Sequence, residues 1–311
     1  VSYERTNERT VTRSTFVRGD ALSTLSALEE GSAELVYLDP PFAVEKSFTA
    51  RPTAPGGPTN VRARANGPVA YSDSWASLEA YLEWLTPRLA LAFRAVSATG
   101  TMWVHLDHHA VRDVEIALRG MLGRGALAGE IVWVPGNGAK AKRGIPRAHQ
   151  SLLVFKKGAE YTWNSRAKEA REPYASTSLS MHFAQKDDAG RAYRDRTVGK
   201  KTYRYYADEG RAVGSVWTDC PAMLANTPLR GEGTGYPTQK PEKLLARIVA
   251  LTTHPGDLVV DPFAGSGTTL AVAHAMGRRF FGGDIGELSV ATVTARLARA
   301  GAAYATSLTK R

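Results

Sequence analysis

The chain has 311 residues, 43% of them hydrophobic, enough for one large α/β domain or one domain carrying an insertion. Its 40 Lys and Arg outnumber 30 Asp and Glu for a net charge of +10, which favours a polyanionic partner, nucleic acid before membrane. A single cysteine, Cys220, excludes an intrachain disulfide and a cysteine-based zinc site, as in a reducing cytosol. No apolar run is long enough to span a bilayer, and the polar stretch Val1 to Arg13 lacks the pattern of a signal peptide, so a cytoplasmic protein is expected.

Thr15-Phe16-Val17 reads as a short strand ending at Arg18-Gly19-Asp20, followed by a helix with Leu22, Leu25 and Leu28 at helical spacing. Asp20 therefore reads either as a strand-end carboxylate facing a cofactor or as a helix N-cap, two roles that are compatible. Leu35-Val36-Tyr37-Leu38 is a buried strand, stopped by Asp39-Pro40-Pro41-Phe42. Two successive prolines cannot continue a ladder, so a rigid turn forms at the strand's C-terminal end, where open α/β sheets bind ligands. A carboxylate, fixed carbonyls and a ring held together there suit a planar group bearing an NH2, such as a nucleobase; a plain surface turn is the competing reading. From Ser47 to Asn66 a Pro/Gly/Arg loop follows, either a lid that orders on nucleic acid or a loose insertion.

Trp75 to Val96 is an amphipathic helical stretch in which Pro87 is expected to introduce a kink or a break. Thr101–His105 is a strand, Val111–Met121 a helix, and Ile131–Val134 and Ser151–Phe155 two more strands. Between these last two, Gly136–Arg147 carries Lys140, Lys142, Arg143 and Arg147 with no acid, the pattern of a phosphate-contacting loop or of a solvated linker. His105, His108 and His109 have no carboxylate at matching spacing, so no metal is expected. Residues 160–235 lose periodicity and interleave Tyr161, Trp163, Tyr193, Tyr203 and Tyr205 with Arg194, Arg196, Lys200, Lys201 and Arg204. Aromatic faces stack on bases, and Arg or Lys meets phosphates and base edges, so this segment reads as an irregular recognition insertion; a structural subdomain is the alternative.

Periodicity returns after Tyr236-Pro237-Thr238-Gln239-Lys240-Pro241, with Leu244, Leu245, Ile248 and Leu251 on one helix face. Leu258-Val259-Val260 is a buried strand that leads into Asp261-Pro262-Phe263-Ala264-Gly265-Ser266-Gly267-Thr268-Thr269 and a further helix. Glycines at such a turn let the backbone approach a ligand, and the helix start presents free amides. The next strand, Phe280–Asp284, ends in an acid 17 residues after Gly267, where a carboxylate can accept both hydroxyls of a ribose. The segment lacks the Lys of a phosphate-binding loop and the third glycine of a dinucleotide fingerprint, so it fits a nucleoside cofactor with a small charged group.

Asp-Pro-Pro-Phe early, Thr-Gln-Lys-Pro later and Asp-Pro-Phe-Ala-Gly-Ser-Gly-Thr-Thr near the end resemble the β-class DNA amino-methyltransferases of bacterial restriction–modification systems. The match spans nearly the whole chain outside 160–235. The resemblance implies a seven-stranded, mostly parallel Rossmann-like sheet with helices on both faces, split as 1–159 catalytic half, 160–235 target recognition and 236–311 cofactor half. It implies S-adenosyl-L-methionine as cofactor, with Phe263, Ala264, Gly265, Ser266 and Gly267 around its methionine part and Asp261 and Thr268 among the cofactor-binding residues. By the same resemblance Asp284 takes the ribose, Asp20 the adenine edge, and Thr238 and Lys240 a further cofactor contact. Asp39, Pro40, Pro41 and Phe42 would hold a base flipped from double-stranded DNA, and Asp before the prolines goes with N6 of adenine more than N4 of cytosine. A catalytically silent DNA-binding subunit and an NAD-dependent dehydrogenase are the readings from other classes. A homodimer and a separately encoded restriction endonuclease are partners compatible with the family, and a cytoplasmic, nucleoid-associated location follows from the substrate.

Overall fold

A computed structural model describes residues 13–49, 68–136, 143–223 and 231–308. Its centre is a nine-stranded sheet in the order Val216–Trp217, Leu127–Trp133, Gln150–Lys156, Val96–Leu106, Ala33–Leu38, Leu258–Asp261, Arg279–Asp284, Thr15–Arg18, Ala305–Leu308. Gln150–Lys156 runs antiparallel to both neighbours, and every other pairing is parallel. The two strands beyond the expected seven are at the edges. Val216–Trp217 is only two residues long, and Ala305–Leu308 lies among small polar residues, so neither shows a readable apolar pattern.

Strand period two assigns the core. Leu35 and Tyr37 point to one face, Val36 and Leu38 to the other. Helices Ala21–Ser26, Leu78–Ala95 and Val111–Leu122 cover the Val36 face through Leu25, Leu85, Leu89, Val114 and Leu118. Helices Glu242–Thr252, Thr268–Ala275 and Glu287–Arg299 cover the other through Leu245, Ile248, Leu270, Val293 and Leu297. Pro87 lies inside Leu78–Ala95, which runs through it as one element.

One crossover decides where chemistry can occur. Ala33–Leu38 pairs directly with Leu258–Asp261, Leu35 opposite Val259 and Val36 opposite Val260. The two Asp-Pro turns, Asp39-Pro40 and Asp261-Pro262, therefore leave the same sheet edge on adjacent strands, although 222 residues separate them. This is the C-terminal edge at which doubly wound sheets bind ligands.

The 160–235 segment is more regular than its sequence implies. Gln185–Lys186, Ala192–Val198 and Lys201–Tyr206 form a three-stranded antiparallel sheet, and Arg171–Glu172 pairs with Arg211–Ala212. In the hairpin, residues on both faces are mostly exposed, so no apolar alternation marks it. The segment's far end, Val216–Trp217, joins the main sheet instead.

Candidate active site

Both Asp-Pro turns line one cavity of about 560 Å³, within the usual range for small-molecule sites. Its walls include Asp20, Asp39, Pro40, Phe42, Tyr71, Trp84, Arg88, Tyr236, Lys240, Asp261, Phe263, Gly265 and Asp284. Residues from the first 42 positions and from beyond 230 thus share a single pocket, as their motifs require.

At the glycine turn, Gly265 and Gly267 adopt φ of +51° and +74°, left-handed values that a side chain would strain. A Cβ at Gly265 would lie 3.4 Å from the Tyr236 ring, and one at Gly267 3.1 Å from Val293. Gly267 then caps the helix Thr268–Ala275, whose first amides face the turn. Asp284 steadies this loop, one carboxylate oxygen accepting from the Gly265 amide at 2.8 Å and the other from the Gly286 amide at 2.8 Å. Each oxygen keeps lone-pair capacity for a further donor. Burial pushes the Asp284 carboxyl up, against these amides. Asp261 accepts from the Phe263 amide at 3.0 Å, and burial raises its pKa to about 7 despite hydrogen bonds from Thr269 and Phe263. Asp20 caps the first helix by accepting from the Ser23 amide at 2.9 Å, and it also lines the cavity.

Ala264, Ser266 and Thr268 line the cavity, whereas Gly267 is buried behind it against Val293. Thr238, at φ +58°, bonds the Pro237 carbonyl and the Tyr71 hydroxyl across the pocket mouth. The glycine turn, the two strand-end carboxylates and the aromatic walls Trp84, Phe263 and Tyr236 fit a nucleoside carrying a charged aliphatic arm. S-adenosyl-L-methionine has that form.

At the other end stands Asp39. Lys240, which its motif assigns to the cofactor, lines the same cavity. Its ammonium donates to both Asp39 oxygens, at 2.7 and 2.5 Å, and lies 5.1 Å from the centre of the Phe42 ring. Burial pushes the Asp39 carboxyl up, and the Lys240 charge opposes that shift. Beneath Phe42, buried His105 bonds the Tyr37 hydroxyl through Nδ1 and the Gln150 carbonyl oxygen through Nε2, both at 2.8 Å. Because an amide oxygen only accepts, Nε2 carries the proton and Nδ1 accepts from Tyr37. Burial holds His105 well below its ordinary pKa, hence neutral.

Sequence reading missed Asp73. Its carboxylate accepts from the amides of Phe42 (2.8 Å), Ala43 (2.9 Å) and Val44 (3.4 Å) and from the Trp75 indole (2.9 Å). It thereby fixes the chain just after the two prolines, including Ala43 at φ +59°. Tyr81 donates to the Pro41 carbonyl at 2.7 Å, which leaves Asp39 and Pro40 to present acceptors. Arg88, stacked 4.1 Å from the Trp84 ring, is a second residue outside the motifs. No local motif marks either, since each is brought in by tertiary pairing.

The expected DNA contacts divide. Lys140 and Lys142 lie outside the described residues, while Arg143 and Arg147 are exposed. Arg204 is paired with Asp195 through two bonds of 2.9 Å and sits over the Tyr193 ring. Arg194 packs among Tyr174, Phe183 and Tyr205. These two arginines are engaged within the insertion, whereas Arg196 and Lys200 are exposed on its hairpin, as is Lys201, whose ammonium lies 5.2 Å from the centre of the Tyr203 ring. The structure also brings Asp107 beside His108 and His109, their donor atoms within 4.8 Å of one another. There Asp107 accepts from the His109 amide and ring, local bonds that account for the grouping.

Fold and cavity together define a class, a nucleoside-cofactor transferase whose second subsite carries acceptors for an amine. Residues 33–294 match the family described as DNA methylase, acting at N6 or N4, and the chain belongs to that family. It is 28% identical over 273 residues to the DNA adenine methyltransferase YhdJ of Escherichia coli, covering 87% of this chain and 78% of that one. It is 25% identical to the type II methyltransferase M.EcaI of Enterobacter cloacae, over 91% of this chain and 69% of the relative. The fold is similar to the DNA modification methylase TTHA0409 of Thermus thermophilus complexed with S-adenosyl-L-methionine, at TM-score 0.56 and 18% identity, covering 96% and 99% of the two chains. It is also similar to the cytosine-N4-specific PvuII DNA methyltransferase, at TM-score 0.57 and 17% identity over 96% and 95%.

Proposed function

We propose that this chain is a site-specific DNA methyltransferase that transfers the methyl group of S-adenosyl-L-methionine to N6 of a flipped adenine. The observation that carries this reading is the shared cavity, which sets Asp39, Pro40 and Phe42 opposite the glycine turn and Asp284. Adenine over cytosine is supported by Asp39 before the prolines and by the adenine methyltransferase named among the relatives.

When bound, S-adenosyl-L-methionine supplies an electrophilic methyl group on a sulfonium. The loop from Phe263 to Ser266, with Asp284, would hold the cofactor, and Asp20 beside Arg88 would meet its adenine. The target amine is a poor nucleophile because its lone pair is delocalised into the ring. Accepting its two N–H bonds at the Asp39 carboxylate and the Pro40 carbonyl draws nitrogen toward tetrahedral geometry and localises that pair. Phe42 offers a face on which the extruded base stacks, worth about 1–3 kcal/mol against a flipping cost of a few. Positioning and electrostatics carry the rate, and the buried thiol of Cys220, whose pKa burial raises to about 11, takes no part.

The test is expression in a host free of DNA methylation, followed by sequencing of its genome with detection of modified bases. N6-methyladenine within one short motif is the expected result. N4-methylcytosine would transfer the reading to cytosine, and unmodified DNA would sink it.

A further inference from the structure

Lys240 occupies a position that a cofactor contact does not explain. The residue is 8% exposed, and its ammonium spans both oxygens of Asp39 and lies over the Phe42 ring, 5.1 Å from its centre. Its backbone is fixed as well, the Lys240 carbonyl accepting from the Thr268 hydroxyl at 3.1 Å. A carboxylate has about four lone-pair sites, of which the ammonium uses two, so Asp39 can accept a target N–H while still paired. The ammonium has three protons, and two are committed to Asp39.

Building on the proposed methylation of a flipped base, we infer that Lys240 is the specificity-determining residue that reads the ring nitrogen next to the target amine. A base stacked on Phe42 with its amine on Asp39 brings the adjacent ring position toward the third ammonium proton. In adenine and cytosine that position, N1 or N3, is an unprotonated acceptor. Asp39 and Lys240 together thus recognise an amidine edge, an N–H donor beside a nitrogen acceptor. The recognition contributes to binding and selection, and activation of the amine stays with Asp39 and Pro40. A hydrogen bond at the ring nitrogen withdraws electrons from the amine.

The test uses the whole enzyme and duplexes carrying its recognition motif, with the target adenine replaced by 1-deazaadenine or 3-deazaadenine. Each analogue replaces one ring nitrogen by C–H, at the position beside the amine or on the far side of the ring. Single-turnover transfer from labelled cofactor should stay within about threefold of adenine for 3-deazaadenine. It should fall about ten- to a hundredfold for 1-deazaadenine, the range expected for losing a hydrogen bond to a charged donor. In Lys240→Met, slower on every substrate, the 1-deaza and adenine rates should converge. If that variant turns over too slowly to follow, the ratio of its affinities for the two duplexes is read instead. Equal wild-type rates on adenine and 1-deazaadenine would overturn the inference, as would a penalty that persists undiminished in Lys240→Met. Absence of transfer to adenine itself would instead remove the methyltransferase reading on which the inference rests.

Discussion

Asp39 is the stronger acceptor for the target amine when ionised, since protonation turns one of its oxygens into a donor, and its surroundings work both ways. Burial pushes its pKa above the usual carboxylate range, while the Lys240 ammonium pulls it back. The single-turnover rate should therefore fall on the acid side with an apparent pKa above that of an ordinary Asp. Removing the ammonium in Lys240→Met should move that limb to higher pH, and a limb that moves the other way would contradict this charge assignment. Asp39→Ala should abolish transfer while leaving cofactor affinity within about twofold, checked by calorimetry beside a methylation assay. Asp284 acts at the opposite end. Asp284→Ala should raise the cofactor Kd by about one to two decades, the loss expected for a charge-assisted pair of hydrogen bonds. Unchanged affinity would mean that the nucleoside does not sit on the Arg279–Asp284 strand.

The elements show why some of this was legible in sequence and some was not. Asp39-Pro40-Pro41-Phe42 and Gly265-Ser266-Gly267 are local. Proline stops the first strand, glycine permits the positive φ of the second turn, and both causes lie within a few residues of their effect. Asp73 is the opposite case. It reaches the turn only because Lys46–Thr49 pairs with Val69–Asp73, placing Lys46 opposite Asp73 across residues 50–67, which lie outside the described residues. A lone acid after a Pro/Gly-rich stretch carries no such signal. Asp73→Asn, which loses acceptor capacity at four donors, should lower the rate of transfer by about ten- to a hundredfold with cofactor affinity preserved. Fluorescence of 2-aminopurine at the target position should still report flipping, because the change perturbs the turn and not the DNA contacts. The Thr-Gln-Lys-Pro motif is visible in the sequence, whereas the contact of the Lys240 ammonium with Asp39 is shown only by the tertiary pairing. Asp261 gives the glycine turn a pH signature. Its folded pKa of about 7 exceeds its ordinary 3.8, so between about pH 4 and 7 the folded chain holds a proton that the unfolded chain has lost. Stability from this group falls as pH rises through that window, by at most about 1.4 kcal/mol per unit, and is level above it. Thermal melts of Asp261→Asn across pH 4–8 should lack that component of the wild-type slope.

For the whole molecule, a net charge of +10 is useful only if it lies where a duplex must rest. The cavity opens at the C-terminal edge of the sheet, and Arg147 and His149 lie near that edge. Burial holds the His108 imidazole below its ordinary pKa, and the Arg147 charge adds to that shift. Exposed residues of the recognition hairpin form a second basic group, Arg196, Lys200 and Lys201 (the last over the Tyr203 ring), with Arg194 and Arg204 packed against rings and Asp195 as its frame. This division was hidden in the sequence, where the five basic residues look alike, because the Asp195 and Arg204 pairing depends on the hairpin register. Neutralising Arg143 and Arg147 should weaken cognate and scrambled duplexes alike and flatten the salt dependence by about 0.9 log unit per lost phosphate contact. Substitutions at Arg196, Lys200 and Lys201 should include at least one that relaxes site choice, at about 1–3 kcal/mol for a lost base contact. Arg204→Ala should instead lower thermal stability, since it strips the hairpin of an ion pair and a ring contact. Affinities measured across salt on both duplexes, beside melting curves, separate phosphate clamp, base reader and frame. Equal losses on both duplexes from all three hairpin substitutions would make the hairpin a clamp and leave base reading to another part of the chain.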